Sequence, residues 1–228
     1  MQMSEIMKGA LFDLDGVIAD TAVYHFAAWR KLIKDHFDRE LPDELEIETK
    51  GVSRQDSLKA ILNYLQIEVS DEEFDQLCAE KNAAYVESLQ ALTPKDILPG
   101  IADLLSQLQD NNVKIALASA SKNGPFILEK LGLNKVFAAV ADPSKIAHGK
   151  PAPDIYLAAA AALDLQPSDC VGFEDAVAGV AAINAAKIVS VGIGSADELS
   201  QADLRFDQTA DVSYNQVVKA WKQLHETK

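Results

Sequence analysis

Beyond residue 100, short apolar runs alternate along the chain with stretches of helical periodicity. Apolar residues three and four apart, with Pro99-Gly100 ahead of them, predict a helix that begins near Ile101. Further helices are predicted over residues 125–131, 153–163 and 177–186, and buried strands over residues 114–118, 136–140, 171–173 and 188–191. Continuous apolar strands separated by helices are typical of a parallel sheet covered on both faces. The pattern therefore predicts an α/β fold with a doubly wound, Rossmann-like core.

The segment from residue 21 to residue 93 does not follow this alternation. Its apolar residues recur with helical spacing throughout, and Ser70 followed by Glu73 is typical of a helix start. We expect residues 21–93 to form an all-helical cap domain inserted after the first strand, and residues 1–20 and 94–228 to form the catalytic core. Thr21 and the region near Thr93-Pro94 are the predicted hinges.

The composition narrows the range of partners. The 228 residues carry a formal net charge of −14 without a basic run, which argues against binding to nucleic acid or an anionic membrane. No apolar run approaches the roughly twenty residues that span a membrane, and the amino terminus lacks the apolar core of a signal peptide. Cys78 and Cys170 lack the spacing of a zinc site or a disulfide framework. We expect a cytoplasmic protein, and a monomer because the cap supplies its own lid.

Two carboxylates follow the first apolar run. Asp13 and Asp15 flank Leu14 where a buried strand ends and Gly16 lets the chain turn. Two like charges this close repel each other unless a cation or a shared proton compensates them. A divalent metal beside a carboxylate nucleophile would do so; an acidic turn after an edge strand is the alternative.

Polar residues also follow the later strands. The loop from Ser119 to Gly124, Lys150 and the Glu174-Asp175 pair each come where a strand has ended, and ligands bind beyond the carboxyl ends of parallel strands. Asp13 could attack phosphorus as a nucleophile, and Asp15 could pass a proton to or from a sugar oxygen. The carboxylates suit Mg²⁺ as ligands.

Each of these residues also has a simpler explanation. Ser119 could be a turn residue, Lys150 a solvated loop lysine, and Glu174-Asp175 an exposed helix start, where carboxylates are favoured. Their joint placement at strand ends favours a phosphate site, in which Ser119 and the amides of its loop hold the anion and Lys150 adds a positive charge.

Four motifs resemble those of the haloacid dehalogenase superfamily, in order and over nearly the full length: residues 12–17, Ser119, Lys150 and residues 172–175. The resemblance implies that Asp13 carries a phosphoryl group and that Asp15 is the general acid and base. It also implies one Mg²⁺ per active site, bound by Asp13, Asp15, Glu174 and Asp175. The second carboxylate is similar to the phosphotransferase pattern and argues against dehalogenation. The helical insertion resembles the cap of one subclass.

Further residues are similar to the β-phosphoglucomutase family within that superfamily: Asp20-Thr21, Tyr24-His25-Phe26, Trp29, residues 50–54, Lys81-Asn82 and residues 118–123. The resemblance implies interconversion of β-glucose 1-phosphate and glucose 6-phosphate through bound β-glucose 1,6-bisphosphate. Arg54 would hold the phosphate that is not being transferred, and Lys81 and His25 would face the sugar. The substrate- and phosphate-binding residues expected on this basis are Thr21, His25, Gly51, Val52, Ser53, Arg54, Lys81, Ser119, Ala120, Ser121, Lys122, Asn123 and Lys150.

Two features depart from the family pattern. Ala176 follows Asp175 where many relatives have a serine, and residues 41–48 are more acidic than expected beside a phosphate pocket. Neither removes a catalytic group, and both bear on the substrate rather than on the reaction. A sugar-phosphate phosphatase with the same nucleophile and a non-catalytic module that binds phosphorylated metabolites are the alternatives.

Overall fold

The computed structural model describes residues 6–226, without the side chains of residues 47 and 48. Its sheet has six parallel strands: β1 (Gly9–Phe12), β2 (Lys114–Leu117), β3 (Ala139–Val140), β4 (Cys170–Glu174), β5 (Val189–Ile193) and β6 (Leu204–Phe206). Their order across the sheet is β3-β2-β1-β4-β5-β6. In this doubly wound order, the direction of winding reverses beside β1. The predicted Rossmann-like core is confirmed.

The segment inserted after β1 contains four α-helices: α1 (Ala22–Phe37), α2 (Glu44–Thr49), α3 (Arg54–Leu65) and α4 (Asp71–Leu89). The hydroxyl of Ser53 caps α3, and the hydroxyl of Ser70 caps α4 by accepting the amide of Glu73 at 3.2 Å. Trp29 and Ile33 of α1 lie in an apolar cluster shared with α3 and α4. The helical insertion predicted from the periodicity is confirmed.

The faces of the sheet are covered by α5 (Ile101–Asp110), α6 (Gly124–Lys130), α7 (Asp154–Ala162), α8 (Val177–Ala185) and α9 (Tyr214–Glu226). Phe12 packs in one apolar cluster with side chains of α5, α6 and α9, whereas Leu11 packs in the opposite cluster with α7 and α8. Successive residues of a strand point to opposite faces, so β1 is buried on both. Among residues 6–226, the helices are all too short or too polar to cross a membrane.

Two strands differ from the sequence prediction. β3 has two residues rather than the five expected over residues 136–140, because the amides of Val136 and Phe137 donate to the carbonyl of Leu133 and continue the turn after α6. β6 was not predicted. Its three residues place Arg205 between two apolar side chains at the edge of the sheet, and so short a run carries no periodicity.

The chain crosses between core and cap at two segments that lie side by side. Ala19 forms isolated bridges to both Asp15 and Ile97. The amide of Leu98 also donates to the carbonyl of Ile18 at 2.9 Å. The segment that enters the cap is therefore hydrogen-bonded to the segment that leaves it.

Cap and core also share apolar contacts. Tyr85 and Leu89, near the end of α4, are buried in the cluster that contains β1 and α5. Thr21 lies immediately before α1, and Thr93 caps the short 3-10 turn Pro94–Asp96. Both predicted hinges thus lie at the two crossings, while the domain boundaries themselves stay a prediction.

Candidate active site

Three neighbouring strands bring the predicted catalytic residues to one edge of the sheet. Asp13 follows β1, Ser119 lies two residues beyond β2, and Glu174 ends β4, while β1 lies between β2 and β4. All three side chains are buried and β1 is not an edge strand, so the alternative of an acidic turn after an edge strand is wrong for Asp13. The carboxyl ends of parallel strands meet at the same edge, which is why these residues converge.

Lys150 lies beneath this edge between two carboxylates. Its Nζ is 2.7 Å from Oδ1 of Asp13 and also donates to Oε1 of Glu174. Its side chain is fully buried, which rules out a solvated loop lysine. The other oxygen of Glu174 accepts the amides of Asp175 and Ala176, both at 2.9 Å. The buried charges are therefore paired and hydrogen-bonded, as burial requires.

The electrostatics of this cluster reflect its burial. Burial raises the pKa of Asp13 well above its usual range, although Lys150 opposes the shift. Burial also acts to lower the pKa of Lys150, but the carboxylates of Asp13 and Glu174 outweigh it, so that pKa is raised. One lysine thus compensates only part of the negative charge at the strand ends.

The remaining negative charge is arranged for a metal ion. Asp13, Glu174 and Asp175 each present a carboxylate oxygen, and these oxygens lie within 4.8 Å of one another. Burial, reinforced by Glu174, raises the pKa of Asp175 to about 7 in spite of a neighbouring lysine. Hard carboxylate oxygens are the ligands that Mg²⁺ prefers, and a cation would relieve this crowding. The residues present therefore fit a divalent metal.

The side chain of Asp15 is directed away from this group. Its Oδ1 accepts a hydrogen bond from the hydroxyl of Thr21, and its Oδ2 lies 3.8 Å from Nε2 of His25. Among the described residues its carboxylate is not part of the metal-binding group. The geometry thus favours the acid–base role predicted for Asp15 over the predicted role of its side chain as a metal ligand.

The loop after β2 is held by its own hydroxyl groups. Oγ of Ser119 accepts the amide of Ser121 at 3.1 Å, and Oγ of Ser121 accepts the amide of Asn123 at 3.3 Å. A serine hydroxyl that accepts a hydrogen bond still has its own proton to donate. Ser119 and Ser121 can therefore each donate to an anion in the cavity.

The cap places a lysine and a histidine opposite the core. Nζ of Lys81 contacts Nδ1 of His25, whose ring stacks on Tyr85 with centroids 3.8 Å apart. Burial, reinforced by Arg54, lowers the pKa of Lys81 to about 7. Burial and the charge of Lys81 hold the pKa of His25 well below its usual value. A neutral His25 that accepts at Nδ1 carries its proton on Nε2, the nitrogen nearest Asp15.

Two polar residues missed by the sequence analysis as site residues connect the cap to the core. Lys50 makes a 2.7 Å ion pair with Asp175, and Oδ1 of Asn82 accepts hydrogen bonds from Arg54 and Asn123. Both had a signal in the sequence, because each lies in a stretch similar to the β-phosphoglucomutase family.

Ala176, noted as a departure from the family pattern, lies where the cap approaches the core. Gly51 has a positive φ of 73°, and a Cβ placed on it would be 2.8 Å from the Cβ of Ala176. A small residue is therefore required on both sides of this contact. In the acidic segment, Asp43 is paired with Arg30, and Glu46 reaches the cavity.

A cavity of about 800 Å³ lies between cap and core. Predicted residues in its wall are Asp13, Asp15, His25, Gly51, Val52, Arg54, Lys81, Ser119, Ala120, Ser121, Lys122 and Asp175. The other predicted residues support that wall rather than form it. Thr21 and Lys150 hold the two aspartates, Glu174 holds Lys150, Asn123 bonds Asn82, and Ser53 caps α3.

The fold, the site and a comparison with known protein families together identify the family of this chain. The family model for haloacid dehalogenase-like hydrolases matches residues 7–187. The chain therefore belongs to the haloacid dehalogenase-like hydrolase family, as its motifs indicated.

Individual relatives narrow the relationship further. The chain is 44% identical over 222 residues to β-phosphoglucomutase of Bacillus subtilis, covering 95% of this chain and 96% of that one. It is 31% identical to fructose-1-phosphate phosphatase of Escherichia coli, covering 84% and 98% of the two chains. The crystal structure of β-phosphoglucomutase from Clostridium difficile superposes with a TM-score of 0.94 at 39% identity, covering 97% of this chain and all of the other. The similarity to β-phosphoglucomutases extends through the cap.

Proposed function

We propose that the protein is a β-phosphoglucomutase, an isomerase that interconverts β-D-glucose 1-phosphate and D-glucose 6-phosphate. The observation that carries this proposal is one cavity with phosphate-binding groups on both sides: Ser119 near Asp13 in the core, with Lys150 behind Asp13, and Arg54 in the cap. A mutase must hold a reacting phosphate and a distal phosphate at once, whereas a phosphatase needs only the first. The full-length similarity to the Bacillus subtilis enzyme supports the same reaction.

Asp13 is the nucleophile in this proposal. In the phosphorylated enzyme, the 6-hydroxyl of β-glucose 1-phosphate attacks phosphorus, its proton passes to Asp15, and the bond from Asp13 to phosphorus breaks. The resulting β-glucose 1,6-bisphosphate turns end over end. Asp13 then attacks the phosphate on C1, and the C1 oxygen leaves with the proton from Asp15. Glucose 6-phosphate is released and the enzyme is phosphorylated again.

The neighbouring residues prepare this chemistry. Asp13, Glu174 and Asp175 would hold one Mg²⁺, which when bound supplies positive charge that shields the attacking carboxylate from the charge of the phosphate. Lys150 fixes the position of Asp13 from below. Thr21 orients Asp15 by donating to one of its oxygens.

The cap favours a sugar hydroxyl over water as the acceptor of the phosphoryl group. Arg54 offers a planar fork of donors to the phosphate that is not being transferred. Lys81 and His25 face the sugar, and closure of the cap excludes water, which favours transfer to a sugar hydroxyl over hydrolysis. The cytoplasmic location and the monomeric state stay predictions.

Phosphorus NMR tests the proposal directly. The protein is incubated with Mg²⁺, β-glucose 1-phosphate and a trace of β-glucose 1,6-bisphosphate. We expect glucose 6-phosphate to form with little inorganic phosphate. Inorganic phosphate without glucose 6-phosphate would instead identify a phosphatase, and an unchanged spectrum would favour a module that binds phosphorylated metabolites without catalysis.

Replacement of Arg54 by alanine should separate the mutase reaction from hydrolysis. Loss of a bidentate, charge-assisted contact to the distal phosphate should lower mutase kcat/KM by roughly 10- to 100-fold. Hydrolysis of the phosphorylated enzyme requires no distal phosphate and should change by less than about threefold. The matched control is Arg30→Ala, since Arg30 lies on the same cap but pairs with Asp43 near the surface. An equal loss in both reactions would count against a distal phosphate site.

The pH dependence of mutase kcat/KM should show whether the reaction needs Lys81 in its protonated form. With a pKa of about 7, Lys81 loses its positive charge as the pH rises above neutrality, so mutase kcat/KM should fall on the alkaline side of about pH 7. The acidic limb follows the second ionisation of the substrate phosphate, near pH 6. In Lys81→Arg the guanidinium stays protonated and the alkaline limb should move up by several pH units. If the alkaline limb did not move in this variant, a group other than Lys81 would be responsible for it.

A further inference from the structure

Asn82 joins three elements of the structure, one of which carries Arg54 in the cavity wall. It lies on α4, next to Lys81, and its Oδ1 accepts a hydrogen bond from Nη2 of Arg54 at 2.6 Å and one from Nδ2 of Asn123 at 3.0 Å. Arg54 is the first residue of α3 in the cap, and Asn123 precedes α6 in the core. A single oxygen atom therefore bonds two elements of the cap to one element of the core.

The chemistry of the partners defines how Asn82 is oriented. A guanidinium group can only donate hydrogen bonds, so the atom of Asn82 that faces Arg54 must be its carbonyl oxygen. Asn123 must then present its amide nitrogen to the same oxygen. Only one of the five guanidinium N–H groups of Arg54 is required for this contact, and the others stay available to a ligand.

The contact continues into the loop after β2. The backbone amide of Asn123 donates to the hydroxyl of Ser121, and the backbone amide of Ser121 donates to the hydroxyl of Ser119. A continuous path of hydrogen bonds thus runs from Arg54 through Asn82 to Ser119, the serine beside Asp13. It connects the group proposed for the distal phosphate with the loop proposed for the transferring phosphate.

The neutrality of Asn82 matters because of its surroundings. Burial lowers the pKa of Lys81, its neighbour in the chain, and the positive charge of Arg54 adds to that effect, so two cations lie close together here. A carboxylate at position 82 would accept the same two hydrogen bonds but would also neutralise Arg54 and repel a phosphate. An amide orients the guanidinium and leaves its charge for a ligand.

We propose that Asn82 is a positioning residue for the two-phosphate reaction: it fixes Arg54 relative to Asn123 when the cap is closed and thereby favours substrates that carry a second phosphate. This proposal rests on the proposed function, because it assigns Arg54 to the distal phosphate. Asn82 itself need not touch the substrate.

The test compares two reactions in three variants. The reactions are mutase turnover of β-glucose 1-phosphate and hydrolysis of acetyl phosphate, which phosphorylates Asp13 without offering a distal phosphate. The variants are Asn82→Ala, which removes the acceptor, Asn82→Asp, which keeps the acceptor and adds a charge, and Asn63→Ala, a control at an exposed asparagine of the same cap.

We expect Asn82→Ala to raise KM for β-glucose 1-phosphate about tenfold, as the loss of a hydrogen bond to a charged group predicts. Asn82→Asp should raise this KM further, although both hydrogen bonds can still form. Hydrolysis of acetyl phosphate should stay within about threefold of the wild-type rate in both variants, and Asn63→Ala should match the wild type in both reactions.

Three results would overturn the proposal. Equal loss of both reactions would mean that Asn82 only supports the fold of the cap. Wild-type kinetics in Asn82→Asp would mean that the reaction does not depend on an uncharged side chain at position 82. A wild-type KM in Asn82→Ala would mean that Asn82 does not position Arg54. If the wild type hydrolyses sugar phosphates without isomerising them, the mutase proposal fails; the ratio between hydrolysis of β-glucose 1,6-bisphosphate and of acetyl phosphate then tests Asn82 separately.

Discussion

Asp13→Asn should lower the rate of phosphoryl transfer by on the order of 10⁶, the loss typical when the nucleophile of a covalent mechanism is removed. The amide has the shape of the carboxylate and can still accept a hydrogen bond from Lys150, which lies 2.7 Å away in the wild type. It cannot form the phosphorylated enzyme. The measurement is phosphorus NMR of mutase turnover, with trapping of the phosphorylated protein from acetyl phosphate.

Asp20→Asn is the matched control for this substitution. Asp20 also lies in the cavity wall but is exposed at its rim, so the control removes one negative charge near the substrate without touching the proposed nucleophile. Its turnover should stay within about threefold of the wild type. If Asp13→Asn retained a tenth of the activity, another residue would have to accept the phosphoryl group.

Lys150→Met should have the largest effect on stability. The substitution leaves the buried carboxylates of Asp13 and Glu174 facing each other without a cation. Breaking a buried ion pair from one side typically costs about 3–5 kcal/mol of unfolding free energy. For a chain of this size that corresponds to a fall in melting temperature of roughly 6–20 °C. Thermal unfolding in the absence of divalent metal measures it.

The pH dependence of this loss has a definite sign. Burial already raises the pKa of Asp13 and Lys150 opposes that shift, so without Lys150 the pKa of Asp13 rises further and the folded state binds more protons than the unfolded state. Unfolding free energy then increases as the pH falls from neutrality toward 4. The variant should therefore recover part of its lost stability in acid. A constant deficit across this range would contradict the assignment.

Lys145→Met serves as the control for Lys150→Met. Lys145 lies five residues earlier in the same loop, is mostly exposed, and pairs with Asp142 at 3.4 Å. An exposed ion pair contributes little to stability, so its loss should move the melting temperature by no more than a few degrees. Equal destabilisation by both substitutions would show that the loop, rather than the buried charges, is responsible.

The core of the site could be predicted because topology alone determines it. Residues that follow neighbouring parallel strands must meet, so Asp13, Ser119 and Glu174 could be placed together from the alternation of apolar runs and helices. The fold class follows from the same pattern. The strand β6 could not be predicted, since three residues at a sheet edge carry no usable period.

Contacts across the cavity lie beyond the reach of such patterns. The orientation of Asp15 depends on a hydrogen bond from Thr21, and the contact between Gly51 and Ala176 depends on how the cap meets the core. Asn82 could be noticed in the sequence only as part of a stretch similar to the β-phosphoglucomutase family, and not as a link between Arg54 and Asn123. Side chains that act through pairs distant in the chain become visible only once the helices are placed.

The two segments that connect the core to the cap lie side by side at Ala19, and this arrangement bears on how such proteins can evolve. Because the core itself holds the start and the end of the insertion together, the entropic cost of closing that gap rises only slowly with the length of the insertion. An insertion of different length or sequence can then be accepted without rebuilding the sheet. Replacement of residues 21–93 changes what reaches Asp13 and leaves Asp13 in place. The chemistry and the choice of substrate can therefore evolve separately.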